Sequence, residues 1–262
     1  ANRNISLCFP DMSKLEHKNL LKRNLISTGI GFAEMVMAFW SHEKKTADKV
    51  FFSGLENIQD ALSKNSGCIL LSCHLHTLEL ATRLINNQLD IKAHVLARQH
   101  NNKIFESHVD LARLKHVEKT IDKKDVKSVL QSLKSNHPVY YIPDQNFSFQ
   151  CQYIDFFGLP AATVIAPVRL AQVSKSPVIP WFCFREKNAK GQTVWNIKFL
   201  KPLTYFQDQN IEHSLNKMNQ LSEKMQTKIV DEIEITPEEV RQFFNSIPEY
   251  EKPVFGAELE IS

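Results

Sequence analysis

No stretch of this 262-residue chain approaches the ~20 apolar residues that a helix needs to cross a bilayer, and no signal-peptide pattern opens it. Neither sign of charge dominates. The 32 basic and 29 acidic residues leave a formal +3, which argues neither for nor against an acidic partner. The five cysteines (Cys8, Cys68, Cys73, Cys151, Cys183) are odd in number and widely spread, with no CxxC or CxxxC pair. Their absence from any such spacing argues against a thiolate zinc site, and the apolar settings "GCILLSC" and "WFCF" read as buried, reduced thiols in a cytosolic compartment. Internal repeats and low-complexity tracts are also missing.

What is present suits one sizeable core. With 43% hydrophobic and 23% charged residues, the expectation is a single α/β domain. Ser13 with Glu16 three residues on forms a capping box. Behind it Leu20, Leu21, Leu25, Phe32, Met35, Val36 and Phe39 recur near helical spacing, which predicts one or two amphipathic helices. The face ending in Phe39 and Trp40 reads as core, with contact to a membrane surface as the alternative. "NSGCILLSC" reads as a buried strand, "TLELATRLINN" as a helix and "IKAHVLAR" as the next strand. Helices follow at "NNKIFESHVDLARL" and "KKDVKSVLQSLKSN", a strand at "PVYYIP", a helix at "ATVIAPVRLAQVSK", and strands at "PVIPWFCFRE" and "TVWNIKFL" around a turn at "KNAKGQ". This alternation predicts a mixed, mostly parallel central sheet flanked by helices. In such sheets the site lies at the carboxyl ends of the strands.

One apolar strand ends on chemistry. In "CHLHTLE", His74 falls in the strand-to-helix turn and Glu79 in the first helical turn. A carboxylate on one imidazole nitrogen sets the tautomer and leaves the other nitrogen to take a proton, which makes a general base without a protein nucleophile. An oxyanion stabiliser would come from turn amides or a nearby Arg. Two other readings stay open: His74 as a satisfied core histidine, and His74, His76 and Glu79 as metal ligands, with His94 and His100 unassigned.

"CHLHTLE" contains His-x-x-x-x-Glu and resembles the signature of the lipid A biosynthesis lauroyl/myristoyl acyltransferases. Further matches occur in order: "NRNISLCFPDMS", "VLARQHNNKIFESHVDLARLK" with Gln99 where the family carries proline, "YYIPDQN", and "FFGLPAAT" followed by "LAQVSKSPVIPWF". The resemblance covers residues 1–228 and implies a glycerolipid-acyltransferase-like single domain. It implies transfer of an acyl chain from acyl carrier protein, without a cofactor, to a hydroxyl of a lipid A precursor at the cytoplasmic face of the inner membrane. It further implies His74 as the base, Glu79 as its orienting partner, Arg98 facing phosphate or the developing oxyanion, and Asp144 and Gln145 shaping the site. Metal and nucleic acid are not implied, and an N-terminal membrane anchor is expected ahead of Ala1.

Basic stretches offer surfaces for an acidic carrier and a phosphorylated glycolipid: "DKKDVKSVLQSLK", Arg113 with Lys115, and Arg185 with Lys187 and Lys190. Phe147 and Phe149 are candidates for an acyl groove or for core. Residues 229–262 read as an atypical acidic tail; their sequence resembles a stretch of periplasmic peptidyl-prolyl isomerase chaperones, which points to a foreign or chimeric segment.

Overall fold

Ser13 starts the longest helix in the expected way. Its hydroxyl accepts from the Glu16 N–H at 3.3 Å while the Glu16 carboxylate accepts from the Ser13 N–H at 2.8 Å. The computed structural model describes residues 1–41, 46–97, 102–145, 150–207 and 210–232. In chain order these form α1 (Asn2–Cys8), α2 (Lys14–Trp40), β1 (Val50–Ser53), α3 (Leu55–Ser63), β2 (Cys68–Leu71), α4 (Leu78–Leu89), β3 (His94–Ala97), α5 (Lys103–Arg113), β4 (Lys119–Asp122) and α6 (Val126–Lys134). There follow β5 (Pro138–Tyr141), β6 (Cys151–Phe156), β7 (Leu159–Val164), α7 (Ala166–Ser174), β8 (Val178–Lys187), β9 (Thr193–Phe199) and α8 (Ile211–Glu232).

Seven strands make one sheet in the order β1-β9-β8-β2-β5-β3-β4. Every neighbouring pair is parallel except β8 with β9. The fold is therefore the expected α/β class with a mostly parallel sheet. Strand β2 is buried along its whole length, and its alternating side chains feed two cores. Cys68 and Leu70 pack with Ala38, Phe39, Ile58, Leu80, Leu84 and Val109 from α2 to α5. Ile69 and Leu71 face the opposite way, into Val129, Leu133, Val168, Leu170 and Leu215 from α6 to α8.

Two expectations need correction. Residues 162–164, read as the start of a helix, instead complete β7, which pairs antiparallel with β6 from Cys151↔Val164 to Phe156↔Leu159. The two-residue loop between them, Phe157-Gly158, has φ of 52° and 72°, the left-handed pair that a tight hairpin requires; the helix begins only after Val164. The strand expected over 91–98 is four residues, His94–Ala97. Arg98, His100, Phe147, Phe149 and residues 233–262 lie outside the described residues, and α8 runs through the expected boundary at 228 to Glu232. Among the described residues no helix is long and apolar enough to cross a membrane.

Buried polar groups tie α2 to the sheet. Arg83 on α4 donates to the carbonyls of Met37, Ala38 and Ser41 at 2.5, 3.1 and 2.7 Å, so a cation satisfies the orphan acceptors at the C-terminus of α2. Glu34, 1% exposed, accepts from Arg185 on β8 at 2.8 and 2.5 Å and from the Trp195 indole on β9 at 2.8 Å. Arg185 is thus an internal partner rather than the surface cation its sequence neighbourhood suggests.

The first turn of α3 meets β9 at Gly54, which has φ +75° and would place a Cβ 1.9 Å from the Phe199 carbonyl oxygen. Gly191 has a similar φ of +72° with nothing near. Gly54→Ala is expected to cost about 3 kcal/mol, combining left-handed strain with overlap, and Gly191→Ala about 1 kcal/mol. Urea unfolding of both variants checks this; equal losses would show that the approach to Phe199 does not constrain α3.

Candidate functional site

The site follows from strand register. Strands β2 and β5 are parallel neighbours with Leu71 level with Tyr141. Three residues beyond each lie His74 and Asp144. Two side chains at the same offset past paired strands are brought level, and Asp144 closes on His74 with both oxygens. Oδ2 accepts from the His74 backbone N–H at 2.7 Å, and Oδ1 contacts the ring Nδ1 in a short hydrogen bond. A carboxylate can only accept, so Nδ1 carries the proton and Nε2 presents its lone pair. The His74 side chain is 44% exposed while Asp144 is 11% exposed, an open base on a shielded orienter.

Glu79 does not take the place beside His74 that sequence proximity suggests. It is the second residue of α4, and that helix turns it toward α5, where its carboxylate holds Arg113 through two contacts, one of them Nε to Oε2 at 3.2 Å. Burial of Arg113 opposes its charge, but the hydrogen bond and field of Glu79 outweigh it and hold the guanidinium above its ordinary value. Arg113 is accordingly a fixed, paired cation. Gln145 lines the same cleft as Glu79 and Arg113. The structure thus brings His74 to Asp144 and Glu79 to Arg113, as two pairs rather than one dyad.

His76, two residues on, belongs to the scaffold. Its ring contacts the Ser27 hydroxyl through Nδ1 at 2.8 Å and the Thr28 hydroxyl through Nε2 at 3.1 Å, both on α2. Burial, then the charge of Arg185, pushes its pKa below the ordinary value of 6.5. With the His76 ring bonded to Ser27 and Thr28 of α2 and the Glu79 carboxylate to Arg113 of α5, the His74-His76-Glu79 metal set does not form. Gly31 on α2 lies against the turn, where a Cβ would come within 2.8 Å of the His76 Cβ and carbonyl oxygen.

Two clefts share His74. One, about 380 Å³, is bounded by α1, α2, the tight hairpin and β8, with Phe9, Leu20, Phe156, Phe157 and Phe184 making an apolar wall and Arg23 a cationic one. The Arg23 Nε is buried without a hydrogen-bond partner. The other, about 500 Å³, runs over the ends of β3 and β5 past Glu79, Arg113, Lys123 and Gln145. Asp144 as orienter and Arg23 as a cleft cation were not anticipated in these roles. The equal offset of "LLSCH" and "YYIPD" past paired strands was the available signal for the first; nothing in sequence marked Arg23, because its place depends on where α2 docks.

Fold and site together define a mostly parallel α/β protein with a carboxylate-oriented histidine at the carboxyl end of the sheet, where two clefts meet. The chain belongs to the bacterial lipid A biosynthesis acyltransferase family, whose family model matches residues 1–234. It is 31% identical over 229 residues to a lipid A biosynthesis acyltransferase of Haemophilus influenzae, covering 86% of this chain and 71% of that protein. It is 28% identical over 193 residues to the lipid A biosynthesis lauroyltransferase of Escherichia coli, covering 73% of this chain and 62% of that protein. The crystal structure of the 1-acyl-sn-glycerophosphate acyltransferase PlsC from Thermotoga maritima aligns at a TM-score of 0.42 and 14% identity, over 83% of this chain and 100% of that one.

Two predictions follow from the packing of α2 on the turn. Gly31→Ala forces the helix away from His76 and is expected to lower the unfolding midpoint by several degrees, whereas Gly29→Ala, with nothing within 4 Å of its added Cβ, leaves it level or slightly higher. Equal midpoints would show that α2 does not press on the turn. For His76 the folded pKa lies below the unfolded 6.5, so the unfolded chain takes up the proton first as pH falls. Its contribution is present above pH ~6.5 and is lost as pH drops toward the folded value. Thermal unfolding between pH 7.5 and 5.5 should therefore show a smaller acid loss in His76→Gln than in the parent; identical slopes would remove His76 as a source of acid sensitivity.

Proposed function

We propose that this chain moves a fatty acyl group from acyl carrier protein to a hydroxyl of a lipid A precursor, with His74 as general base. The observation that carries the reading is the Asp144-oriented His74 at the junction of two clefts, set in a chain of this family. His74 Nε2 takes the proton of the acceptor hydroxyl as its oxygen attacks the thioester carbonyl. The tetrahedral intermediate then collapses, the C–S bond breaks, and the imidazolium returns the proton to the leaving thiolate. Atoms and charge balance without a cofactor. Asp144 keeps Nδ1 protonated and stabilises the imidazolium between the two steps.

Attack is direct rather than through a protein thioester. Cys73 is the adjacent thiol, but it is fully buried, and burial followed by the charge of Asp144 raises its pKa far above the ordinary thiol value. The apolar cleft suits an acyl chain. The cleft with Arg113 and Lys123 suits the phosphorylated acceptor, and Glu79, by fixing Arg113, positions that cation. Arg23 and turn amides are the groups available for the developing oxyanion.

Action at the cytoplasmic face of the inner membrane is part of the proposal. Leu15, Leu25, Phe32 and Trp40 on α2 are 68, 57, 61 and 47% exposed, and at ~100° per residue they fall within an arc of about 100°. That stripe lies on the face of α2 turned away from Leu20, Arg23 and Ser27, which line the apolar cleft, so it can rest on a lipid surface without covering the cleft.

Transfer from labelled acyl carrier protein to a lipid A precursor in detergent tests the assignment. His74→Ala is expected to lower kcat ~10³-fold and Asp144→Asn ~10²-fold. Glu79→Gln should raise KM for the acceptor ~10-fold with little change in kcat. A His74→Ala variant as active as the parent would falsify the base assignment, whereas a parent that binds the precursor without transferring the acyl group would favour a lipid-binding role. A kcat loss in Glu79→Gln that exceeds the loss in Asp144→Asn would return the orienting role to Glu79.

A further inference from the structure

A second cluster of imidazoles lies at the opposite end of the sheet from His74. His94 is the first residue of β3, Glu118 immediately precedes β4, and His137 immediately precedes β5. The parallel register sets His94 level with Lys119 and Val139, so three neighbouring strands begin around one point. The Glu118 N–H donates to the Ala93 carbonyl at 2.9 Å, which fixes the backbone carrying the carboxylate beside the histidine. A ligand nitrogen from each ring and a Glu118 oxygen lie within 4.8 Å of one another. The rings themselves are stacked, with centroids 4.3 Å apart and planes 18° from parallel.

The hydrogen bonds around the rings decide their tautomers. His137 Nδ1 lies 3.0 Å from the Lys92 carbonyl oxygen, which can only accept, so that nitrogen carries the proton. His94 Nδ1 lies 2.7 Å from the Ser132 hydroxyl. Ser132 spends its single proton on the Ser128 carbonyl at 2.7 Å, so toward His94 it accepts, and His94 Nδ1 is the donor as well. Both Nε2 atoms are then unprotonated in the neutral rings. Two lone pairs and a carboxylate gathered in this way repel unless a cation joins them. Donation from Nδ1 to a backbone carbonyl or a hydroxyl is also the support that metal-ligating histidines commonly have, because it sets the ring orientation and makes the other nitrogen more basic.

We propose that His94, His137 and Glu118 bind a divalent transition-metal ion, with zinc as the best-matched metal, through the two Nε2 atoms and one carboxylate oxygen. Imidazole nitrogens favour zinc over magnesium or calcium, and a His₂Glu set with water in the fourth position is an established zinc geometry. Tetrahedral ligands ~2.1 Å from zinc stand roughly 3.4 Å apart. Closure requires the half-buried His137 ring to turn out of its stack with His94, pivoting about its Nδ1 hydrogen bond to Lys92, and the exposed Glu118 to swing in, while the buried His94 stays fixed. The ion would clamp the starts of β3, β4 and β5, the three strands at one edge of the sheet. It would have no part in proton transfer at His74, which lies beyond the other end of the strands. This site is distinct from the His74-His76-Glu79 set, whose members face different elements.

The test is calorimetric titration of the chelator-treated chain, without a polyhistidine tag, with zinc chloride and separately with magnesium chloride. The expected result is one zinc per chain at micromolar or tighter affinity, no magnesium binding, and a rise in the unfolding midpoint with zinc. His137→Ala and Glu118→Gln, both at solvent-accessible positions, should each weaken zinc binding at least ~10-fold and lose the rise, whereas His74→Ala should keep both. Absence of stoichiometric zinc binding in the parent would overturn the proposal. So would affinity that survives both ligand substitutions, or that follows His74 rather than His137.

Discussion

The parallel pairing of β2 with β5 is the constraint from which the site follows. Both strands are central in the sheet, β2 is buried along its length and β5 nearly so. A one-residue slip would drive Cys68 and Leu70 into the core built around Ile69 and Leu71 and the reverse, misfitting two close-packed interiors at a cost of about 1–3 kcal/mol per overpacked side chain. Register is therefore held by hydrophobic burial far from any chemistry. The same register sets His74 and Asp144 level, so the energy that aims the imidazole belongs to the core.

A second constraint is the cost of charge inside the protein. Glu34 and Arg185 are nearly dehydrated, and a pair of this kind is tolerated only when its remaining hydrogen-bonding capacity is filled. Trp195 supplies one such bond to Glu34, and Ser27 accepts another from Arg185 at 3.3 Å. Ser27 in turn contacts His76. The network runs from β9 and β8 through α2 to the residue two places beyond His74. Loss of any one partner would leave an unsatisfied buried group, and its effect would reach the site through the position of α2, the wall of the apolar cleft.

How much of this was legible depends on how local the determinants are. The capping box at Ser13, the strand within "NSGCILLSC" and the helix beginning near Thr77 follow from short windows; the structure has all three, with the strand shortened to Cys68–Leu71. The 162–164 segment misled because Ala162 and Val164 extend an apolar pattern that continues into α7. Its strand character comes from pairing with β6 across a left-handed two-residue turn. Glu79 illustrates the larger difficulty. Five residues from His74 in sequence, it is carried round by α4 to Arg113, whereas Asp144, seventy residues away, arrives through strand pairing. Arg185 was misread for the same reason, since nothing near it in sequence reveals that Glu34 waits on α2.

The division between the two acid–base pairs has a chemical logic. A carboxylate held by a guanidinium is poorly placed to stabilise an imidazolium, because its charge is already engaged and its geometry is tied to the cation. Asp144 has no such partner among the described residues; beyond His74 it is shielded, with 11% of its side chain exposed, so its field falls mainly on the ring. With Glu79 held by Arg113, the ring keeps a single anionic neighbour, while the second cleft gains a cation whose direction is set. The carboxyl end of the sheet can then present an imidazole lone pair and a guanidinium side by side without either cancelling the other.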